Sequence, residues 1–356
     1  MPSNHQDDRL AAAEPDGPDE MGRDIAEGPE AVAKTLAVVE DLRPQVASML
    51  SRSRRIVLLG TGASLATSQI AAAIWRARLP AATSLVVRQS TEAALGDFDG
   101  LPFGDADLVF AISQSGTSPE TLAAARRAHD AGAGVLALTA RSDSPLATAA
   151  TLVVPIASGE ERGAATKSEL ATLAGLLALS GSLGSTASKI ERVRRRLDAV
   201  VASWPEVIAP GHALSEARHV WILGFGAALG IAQAGALLWH EKVLRPAMGT
   251  TPSEFRHGLV EAAVPEDAVI LVNGEQHTDA AHGYFDRLRS EVETMQMTLV
   301  ELDVTQGEEA DEPIQPLATL LRLQQLARAT ALAGGTYRDG FAVLYRVVTA
   351  ANDLFA

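Results

Sequence analysis

The chain has 356 residues, no cysteine and a net charge of −14, and 47% of its residues are hydrophobic. The missing cysteines exclude disulfides, Cys-ligated metals and cysteine nucleophiles, and the acidic balance disfavours nucleic acid as a partner. No apolar run is long enough to predict a membrane span, the N-terminus has no signal pattern, and the histidines lack metal-ligand spacing. The composition predicts a cytoplasmic two-domain protein without metal or cofactor.

The first half of the chain alternates between strand-like and helical segments. Residues 1–20 are rich in Asp, Glu, Pro and Ala, which predicts a disordered acidic tail. Helical spacing of apolar residues begins at Met21, and an Ala-rich helix is predicted near 64–78. Five apolar runs of strand length are Arg55–Gly60, Ser84–Gln89, Asp107–Ser113, Gly134–Ala140 and Thr151–Ile156. This alternation predicts a parallel sheet with helices on both faces.

The second half repeats this plan after a stretch, Lys167–Trp204, that we predict to be helical throughout. Its strand-like runs are His219–Leu229, which also contains a turn and a helix start, Ala268–Asn273 and Met297–Val304. The segments Leu58–Ala66 and Ile222–Gly230 share the pattern L-G-x-G-A-x-L. The repeated pattern indicates two copies of one α/β module.

Two segments of the first half carry donors suited to an anion. The turn Gly60–Ser64 joins a strand to a helix, where glycines let the backbone approach a phosphate; a plain tight turn is the alternative. The segment Ser113–Thr121 places five hydroxyls and a side-chain amide at a predicted helix start. N-capping by Ser118 is the alternative there, but one cap leaves Ser113, Gln114 and Ser115 unexplained.

A third polar segment, Gly159–Ser168, lies between the last strand of the first half and the connecting helix. Its small residues are suited to closing a pocket, with Thr166 or Lys167 near a ligand. An ordinary loop with a capping Thr or Ser is an equally good interpretation.

Acid–base candidates lie in the second half. Glu241 falls in a long, mostly apolar predicted helix, and a carboxylate in an apolar cleft has a raised pKa and becomes a usable general base. The alternative is a solvated Glu241 paired with Arg245 at i+4. His257, in a loop bounded by Pro252 and Gly258, is a second acid–base candidate.

These segments, in this order, resemble the sugar isomerase (SIS) domain family, over roughly residues 21–305. The likeness is greatest to the isomerase half of glucosamine-6-phosphate synthase and to free-standing amino-sugar-phosphate deaminases and deglycases. The resemblance implies a flavodoxin-like three-layer fold. It also implies that Glu241 shuttles a proton and that His257 opens the sugar ring and reaches a neighbouring subunit. Glu254 lies in the same loop as His257, and Glu261 lies just past this loop. The phosphate-binding residues it implies are Ser64, Ser113, Gln114, Ser115 and Ser118.

The chain also departs from the family pattern. The synthase has a lysine three residues before the helix glutamate, where this chain has Leu238, and a proline where this chain has Leu259. Its Schiff-base lysine in the C-terminal tail aligns best with Arg346, which stays protonated and cannot form an imine. We expect no glutaminase domain, and the chain has no cysteine to serve as its nucleophile.

We therefore expect two tandem SIS modules, at 21–205 and 206–356, in a homodimer with shared active sites. The expected substrate is a phosphorylated amino sugar, and the expected reaction is C1/C2 proton transfer with amine release. Glu241 and His257 are the catalytic candidates; the substrate-binding candidates are Ser64, Ser113, Gln114, Ser115, Ser118, Thr166 and Glu254. A sugar-phosphate sensor and a simple aldose–ketose phosphosugar isomerase are the alternatives.

Overall fold

The computed structural model describes residues 19–161, 163–272, 279–302, 314–341 and 343. Glu20 opens the first helix, α1 (Glu20–Arg52), and residues 1–18 of the predicted acidic tail lie outside the described residues. The chain divides into two compact units. The first comprises residues 28–161, 167–195, 341 and 343, and the second comprises residues 19–27, 163–166 and the described residues of 196–340. The predicted module boundary at 205/206 stays a prediction.

The first unit contains a five-stranded parallel sheet with the order β2-β1-β3-β4-β5. Its elements are β1 Arg55–Gly60, α2 Ala63–Trp75, β2 Ser84–Gln89, α3 Ser90–Leu95, β3 Asp107–Ile112, α4 Pro119–Asp130, β4 Gly134–Thr139, α5 Pro145–Ala149, β5 Leu152–Pro155, α6 Lys167–Leu179 and the start of α7 Ala187–Ala202. The predicted strands agree with the observed ones to within about two residues. This strand order is that of flavodoxin-like sheets.

Helices cover both faces of this sheet. Successive strand residues point to opposite sides, so the strands contribute apolar side chains to both faces. One face packs Val57, Val109 and Val135 against alanines of α4. On the other face the Trp75 ring of α2 meets Phe110 edge-on at 5.2 Å, and the Trp75 indole N–H donates to the Leu176 carbonyl of α6 at 3.0 Å. The prediction of a parallel sheet between helices is confirmed.

The prediction that Lys167–Trp204 is helical throughout is wrong. Helix α6 ends at Leu179 and α7 begins at Ala187. Between them Gly181 has φ +75°, a conformation that continues neither helix. The Gly- and Ser-rich composition of this segment is the signal that marks the break.

The second unit contains a four-stranded parallel sheet with the order β7-β6-β8-β9. Its elements are the end of α7, α8 Ile208–Ser215, β6 Val220–Leu223, α9 Ala227–Leu238, β7 Ala247–Thr250, α10 Pro252–Arg256, β8 Ala268–Val272, α11 Asp279–Thr294, β9 Thr298–Leu302 and α12 Ile314–Ala333, with 3₁₀ turns at Trp204–Val207 and Leu259–Ala262 and a π-helical turn at Trp239–Val243. Strand β7 was not predicted from the sequence.

The second sheet is also covered on both faces. Trp221, Leu223 and Leu271 pack against α11 on one side. On the other, a Cβ added to Gly235 of α9 would lie 2.6 Å from Leu323 of α12, so only glycine lets these helices approach so closely. No helix in the described part of the chain has the length and apolarity needed to cross a bilayer.

The two units repeat one backbone pattern. In both, the second strand in sequence lies beside the first, and the third lies on the first strand's other edge. The turn after the first strand has a glycine of nearly the same conformation in each, Gly62 with φ 58° and Gly226 with φ 57°. The shared L-G-x-G-A-x-L pattern therefore corresponds to a shared strand–turn–helix structure.

Candidate functional site

The donors predicted in the first unit lie at the carboxyl edge of its sheet. Strands β1 and β3 are neighbours, with Leu59 beside Ala111, so the turn that carries Ser64 and the loop that begins at Ser113 leave the same edge. The strand order reverses between β1 and β3, which is where open α/β sheets bind their ligands. Ser64 is half-buried in the first turn of α2, which has no side-chain cap.

Hydrogen bonds hold the loop Ser113–Ser118 in a compact conformation. The buried Ser113 hydroxyl lies 2.9 Å from that of Ser118. Ser115 Oγ accepts from the amide and the hydroxyl of Thr117, at 3.3 and 2.9 Å. The Gln114 carbonyl accepts from the Thr139 hydroxyl at 3.1 Å, while its side chain is half-buried. Four predicted donors are therefore gathered in one preformed loop.

The N-cap interpretation of Ser118 fails on this geometry. Ser118 occupies the N-cap position of α4, but its side chain accepts no hydrogen bond from the helix and is bonded to Ser113 instead. The first amides of α4 are thus left without a side-chain cap, a condition that favours an anion at a helix start.

Gly116 is the residue that permits the loop to fold this way. It has φ +62°, and an added Cβ would lie 2.1 Å from Ser144 Oγ and 2.9 Å from Thr139 Oγ1. Its carbonyl accepts from the Leu146 amide at 3.1 Å. A side chain at this position would separate the loop from the β4–α5 segment that supports it.

In the second unit Glu241 lies in the π-helical turn Trp239–Val243 rather than in the regular helix expected from the sequence. The Leu244 amide donates to the Trp239 carbonyl at 2.8 Å, and Leu244 ends the turn with φ 57°. Such π-bulges occur frequently at functional sites. Because the chain leaves the helix here, the i+4 geometry needed for a helical pair with Arg245 does not form, and no ion pair joins the two among the described residues.

The environment of Glu241 matches that expected of a general base. Its side chain is half-buried, and burial raises the pKa of Glu241 to about 7, against the opposing charge of Lys242. At neutral pH such a carboxyl group exchanges protons readily in both directions, which a proton shuttle requires.

Two neighbours of Glu241 were not singled out from the sequence. His240 donates from Nδ1 to the Ala236 carbonyl at 2.7 Å, and its Nε2 lies 3.5 Å from the Ala247 amide. Lys242 is completely buried, and its Nζ donates to the carbonyls of Arg338 and Gly340. In the sequence, a lysine directly after a glutamate is typical of a charged surface position. Only the burial of Lys242 in the structure shows that it belongs to the surroundings of Glu241.

The remaining candidates in this unit are exposed, or form hydrogen bonds through their backbone atoms. Glu254 and His257 are exposed on α10 and at its C-terminal end. The Glu254 amide donates to Thr251 Oγ1 at 3.1 Å, and the His257 amide to the Ser253 carbonyl at 3.0 Å. Thr166 is buried, and its carbonyl accepts from the Gln324 side chain at 3.2 Å. Arg346 lies outside the described residues.

No three His, Asp or Glu side chains among the described residues form a group able to hold a metal ion. The chemistry of these residues is that of oxygen donors, backbone amides and one carboxyl group of raised pKa.

The family comparison identifies the unit that carries the donor loop. Residues 49–180 match the SIS domain family. This segment is a SIS domain. It includes Ser64 and the whole loop Ser113–Ser118, whereas the second sheet lies outside the matched residues.

Known proteins resemble the chain over much of its length. A glutamine–fructose-6-phosphate aminotransferase of Pyrobaculum aerophilum is 30% identical over 276 residues, which are 72% of this chain and 44% of the relative. The chain is homologous to such aminotransferases and spans about half the length of the curated relatives it matches.

Two solved structures have the same fold. The C-terminal domain of the glucosamine–fructose-6-phosphate aminotransferase from Francisella tularensis superimposes with a TM-score of 0.73 at 21% identity, covering 90% of this chain and 98% of that one. The tagatose-6-phosphate ketose/aldose isomerase from Escherichia coli superimposes with a TM-score of 0.75 at 20% identity, covering 88% and 92%. Both likenesses extend over the two parallel sheets of this chain.

Proposed function

We propose that the chain is a phosphosugar enzyme that moves a proton between C1 and C2 of an amino-hexose 6-phosphate and releases the amine. The observation that carries this proposal is the half-buried Glu241, whose pKa is raised to about 7 in a π-helical turn. A sugar-phosphate sensor needs no such group. The phosphosugar enzymes named among the relatives and solved structures support the substrate class.

In the proposed mechanism the donor loop binds the phosphate. The hydroxyls of Ser113, Ser115 and Ser118 and the free amides at the start of α4 are neutral donors, which suits a dianion in a chain whose net charge opposes it. Ser64, at the neighbouring strand end, completes the set. The second unit has Ala228 at the corresponding position and no equivalent hydroxyl, so we assign phosphate binding to the SIS domain alone.

His257 and Glu241 then carry out the proton transfers. His257 protonates the ring oxygen and opens the sugar. The Glu241 carboxylate removes the C2 proton of an aldosamine phosphate, which forms an enaminol, and returns that proton to C1. The resulting C2 imine adds water and releases ammonia, leaving the ketose phosphate. With a fructosamine phosphate the same shift runs from C1 to C2, and hydrolysis of the C1 imine releases the amine.

We propose that the second unit is a second SIS module, because both units share strand order and the conformation of the glycine turn. The exposed His257 is suited to serve a partner subunit's site, so we propose a homodimer with shared active sites.

A substrate panel tests the function. Glucosamine 6-phosphate, galactosamine 6-phosphate and fructosamine 6-phosphate are each incubated with the full chain, while released amine and hexose phosphate are measured. The expected result is stoichiometric amine and hexose phosphate from at least one of them. Interconversion of glucose 6-phosphate and fructose 6-phosphate without amine release from any amino sugar would identify a simple aldose–ketose isomerase. Binding without any conversion or proton exchange would identify a sensor.

A further inference from the structure

A buried cation lies directly beside the candidate base. The Lys242 side chain is 0% exposed, and burying an ammonium group is costly unless hydrogen bonds and charges compensate. Its Nζ donates to the Gly340 carbonyl at 2.9 Å and to the Arg338 carbonyl at 3.2 Å. Both acceptors belong to the segment Tyr337–Gly340, which we call the C-terminal strap. The buried lysine therefore holds the strap.

The strap is also fastened to the first turn of α1. The Tyr337 hydroxyl accepts from the Met21 amide at 3.1 Å and donates to Asp339 Oδ1 at 2.9 Å. Asp339 Oδ1 accepts from the Glu20 amide at 2.9 Å, and Glu20 Oε2 accepts from the Gly340 amide at 3.1 Å. The strap and residues 20–21 thus form one hydrogen-bonded assembly.

The hydrogen bonds of Lys242 connect that assembly to the turn that contains Glu241. The turn has π geometry and ends in a left-handed residue, Leu244, so its shape is not maintained by ordinary helical hydrogen bonds alone. Gly163 lies beside the ammonium group, since a Cβ added there would be in ordinary van der Waals contact with Nζ, at 3.4 Å. We infer that Lys242 is a positioning residue, whose ammonium group ties the C-terminal strap to the π-helical turn and so holds the Glu241 carboxylate in place for proton transfer.

The charges around Lys242 support this role. Burial lowers the pKa of Lys242, while the carboxylates of Glu241, Glu20 and Asp339 oppose this and Arg338 reinforces it. These groups come from the π-helical turn, from α1 and from the strap. The same ammonium group lowers the pKa of Glu241 against the effect of burial. Loss of its charge is therefore expected to raise the pKa of Glu241 and to weaken the strap together.

The inference rests on the proposed function of Glu241, so its test uses readouts that need no substrate. Lys242→Met keeps an apolar stem of similar length and removes the charge, and Lys34→Met, at an exposed position paired with Glu30 on α1, is the matched control. Hydrogen–deuterium exchange of peptides covering 337–340 reports on the strap. Carboxyl ¹³C NMR of glutamate-labelled protein, with the Glu241 signal assigned from Glu241→Gln, reports on the base.

In Lys242→Met we expect faster exchange of the strap and an upward shift of the Glu241 titration midpoint, with neither change in Lys34→Met. Unchanged exchange or an unchanged Glu241 midpoint in a folded Lys242→Met protein would overturn the inference. If Lys242→Met does not fold, Tyr337→Phe loosens the strap from α1 without altering Lys242. A looser strap with an unchanged Glu241 signal in that variant would overturn it equally.

The turnover assay separates this inference from the proposed function. If no sugar phosphate in the panel is converted by the wild-type chain but both readouts change, the proposed function fails and the link between Lys242 and Glu241 stands. If turnover is found, the pH midpoint of the rising limb of kcat/KM is expected to move upward in Lys242→Met.

Discussion

Replacing Glu241 by glutamine is the sharpest test of the proposed chemistry. The substitution keeps the shape and hydrogen-bonding capacity of the side chain and removes its basicity. Loss of a positioned general base typically lowers turnover about 10²–10⁴-fold. Because phosphate binding is assigned to another segment, Ser113–Ser118, affinity for the sugar phosphate should change little. Exchange of the C2 proton with deuterated solvent should fall in parallel with turnover.

The raised pKa of Glu241 sets the pH dependence of the wild-type protein. With a pKa of about 7, the carboxylate is roughly half ionised at pH 7 and about one-tenth ionised at pH 6. As the pH increases towards 6, the rate attributable to this base should therefore rise about tenfold per pH unit. It should level off above pH 8. Glu241→Gln should lose this dependence.

The same shift has a consequence for stability. A carboxyl group whose pKa is raised on folding binds more protons in the native than in the unfolded state between its ordinary value of 4.5 and about 7, so stability falls as pH rises through this window. At about 1.4 kcal/mol per pKa unit, the destabilisation above pH 7 is at most about 3.5 kcal/mol. Glu241→Gln should remove it, so the variant should be at least as stable as wild type at pH 8.

The control for this series is Glu216→Gln, which changes an exposed glutamate at the end of α8 in the same unit. Turnover, proton exchange and stability curves are measured on both variants and wild type. Near-normal turnover in Glu241→Gln would refute the assignment of the base and move the chemistry to Glu254 or Glu261. Equal losses in both variants would show that the effect is not specific to Glu241.

Two further predictions concern the donor loop and the assembly. Gly116→Ala should destabilise the chain by about 1–3 kcal/mol and abolish measurable sugar-phosphate binding. The control Gly100→Ala, with φ +70° but open space around an added Cβ, should keep binding. Thermal unfolding measures stability and calorimetry measures binding, and retained affinity in Gly116→Ala would contradict the loop assignment. Light scattering should show a dimer at micromolar concentration. Mixing inactive Glu241→Gln and His257→Gln with subunit exchange should restore roughly a quarter of wild-type activity, and a stable monomer or no restoration would contradict shared active sites.

The regular part of the fold was largely predictable from the sequence. The apolar runs that form β1 to β5 are bounded by glycines and polar residues, and burial on both faces of a parallel sheet requires such continuous runs. The repeated L-G-x-G-A-x-L pattern likewise indicated the two glycine turns at Gly62 and Gly226, because both need a backbone conformation that glycine adopts without strain. Local backbone preference determines these features, so the sequence alone contains them.

The donors of Ser113–Ser118 were identifiable by residue type, but their arrangement was not. A serine before Pro119 fits an N-cap, and only the structure shows its hydroxyl bonded to Ser113. The break between α6 and α7 does have a local signal in the sequence, the Gly- and Ser-rich segment that separates the two helical patterns.

The surroundings of Glu241 were decided by the tertiary structure. Helical periodicity predicted a regular helix through this residue, whereas the chain forms a π-helical turn there. Lys242 looks like surface charge in the sequence, yet it is buried against the carbonyls of Arg338 and Gly340, almost a hundred residues away. The strap in turn bonds to residues 20–21 at the other end of the chain. Contacts of such separation leave no periodic or local signal, because they depend on how distant segments pack and not on the preferences of neighbouring residues.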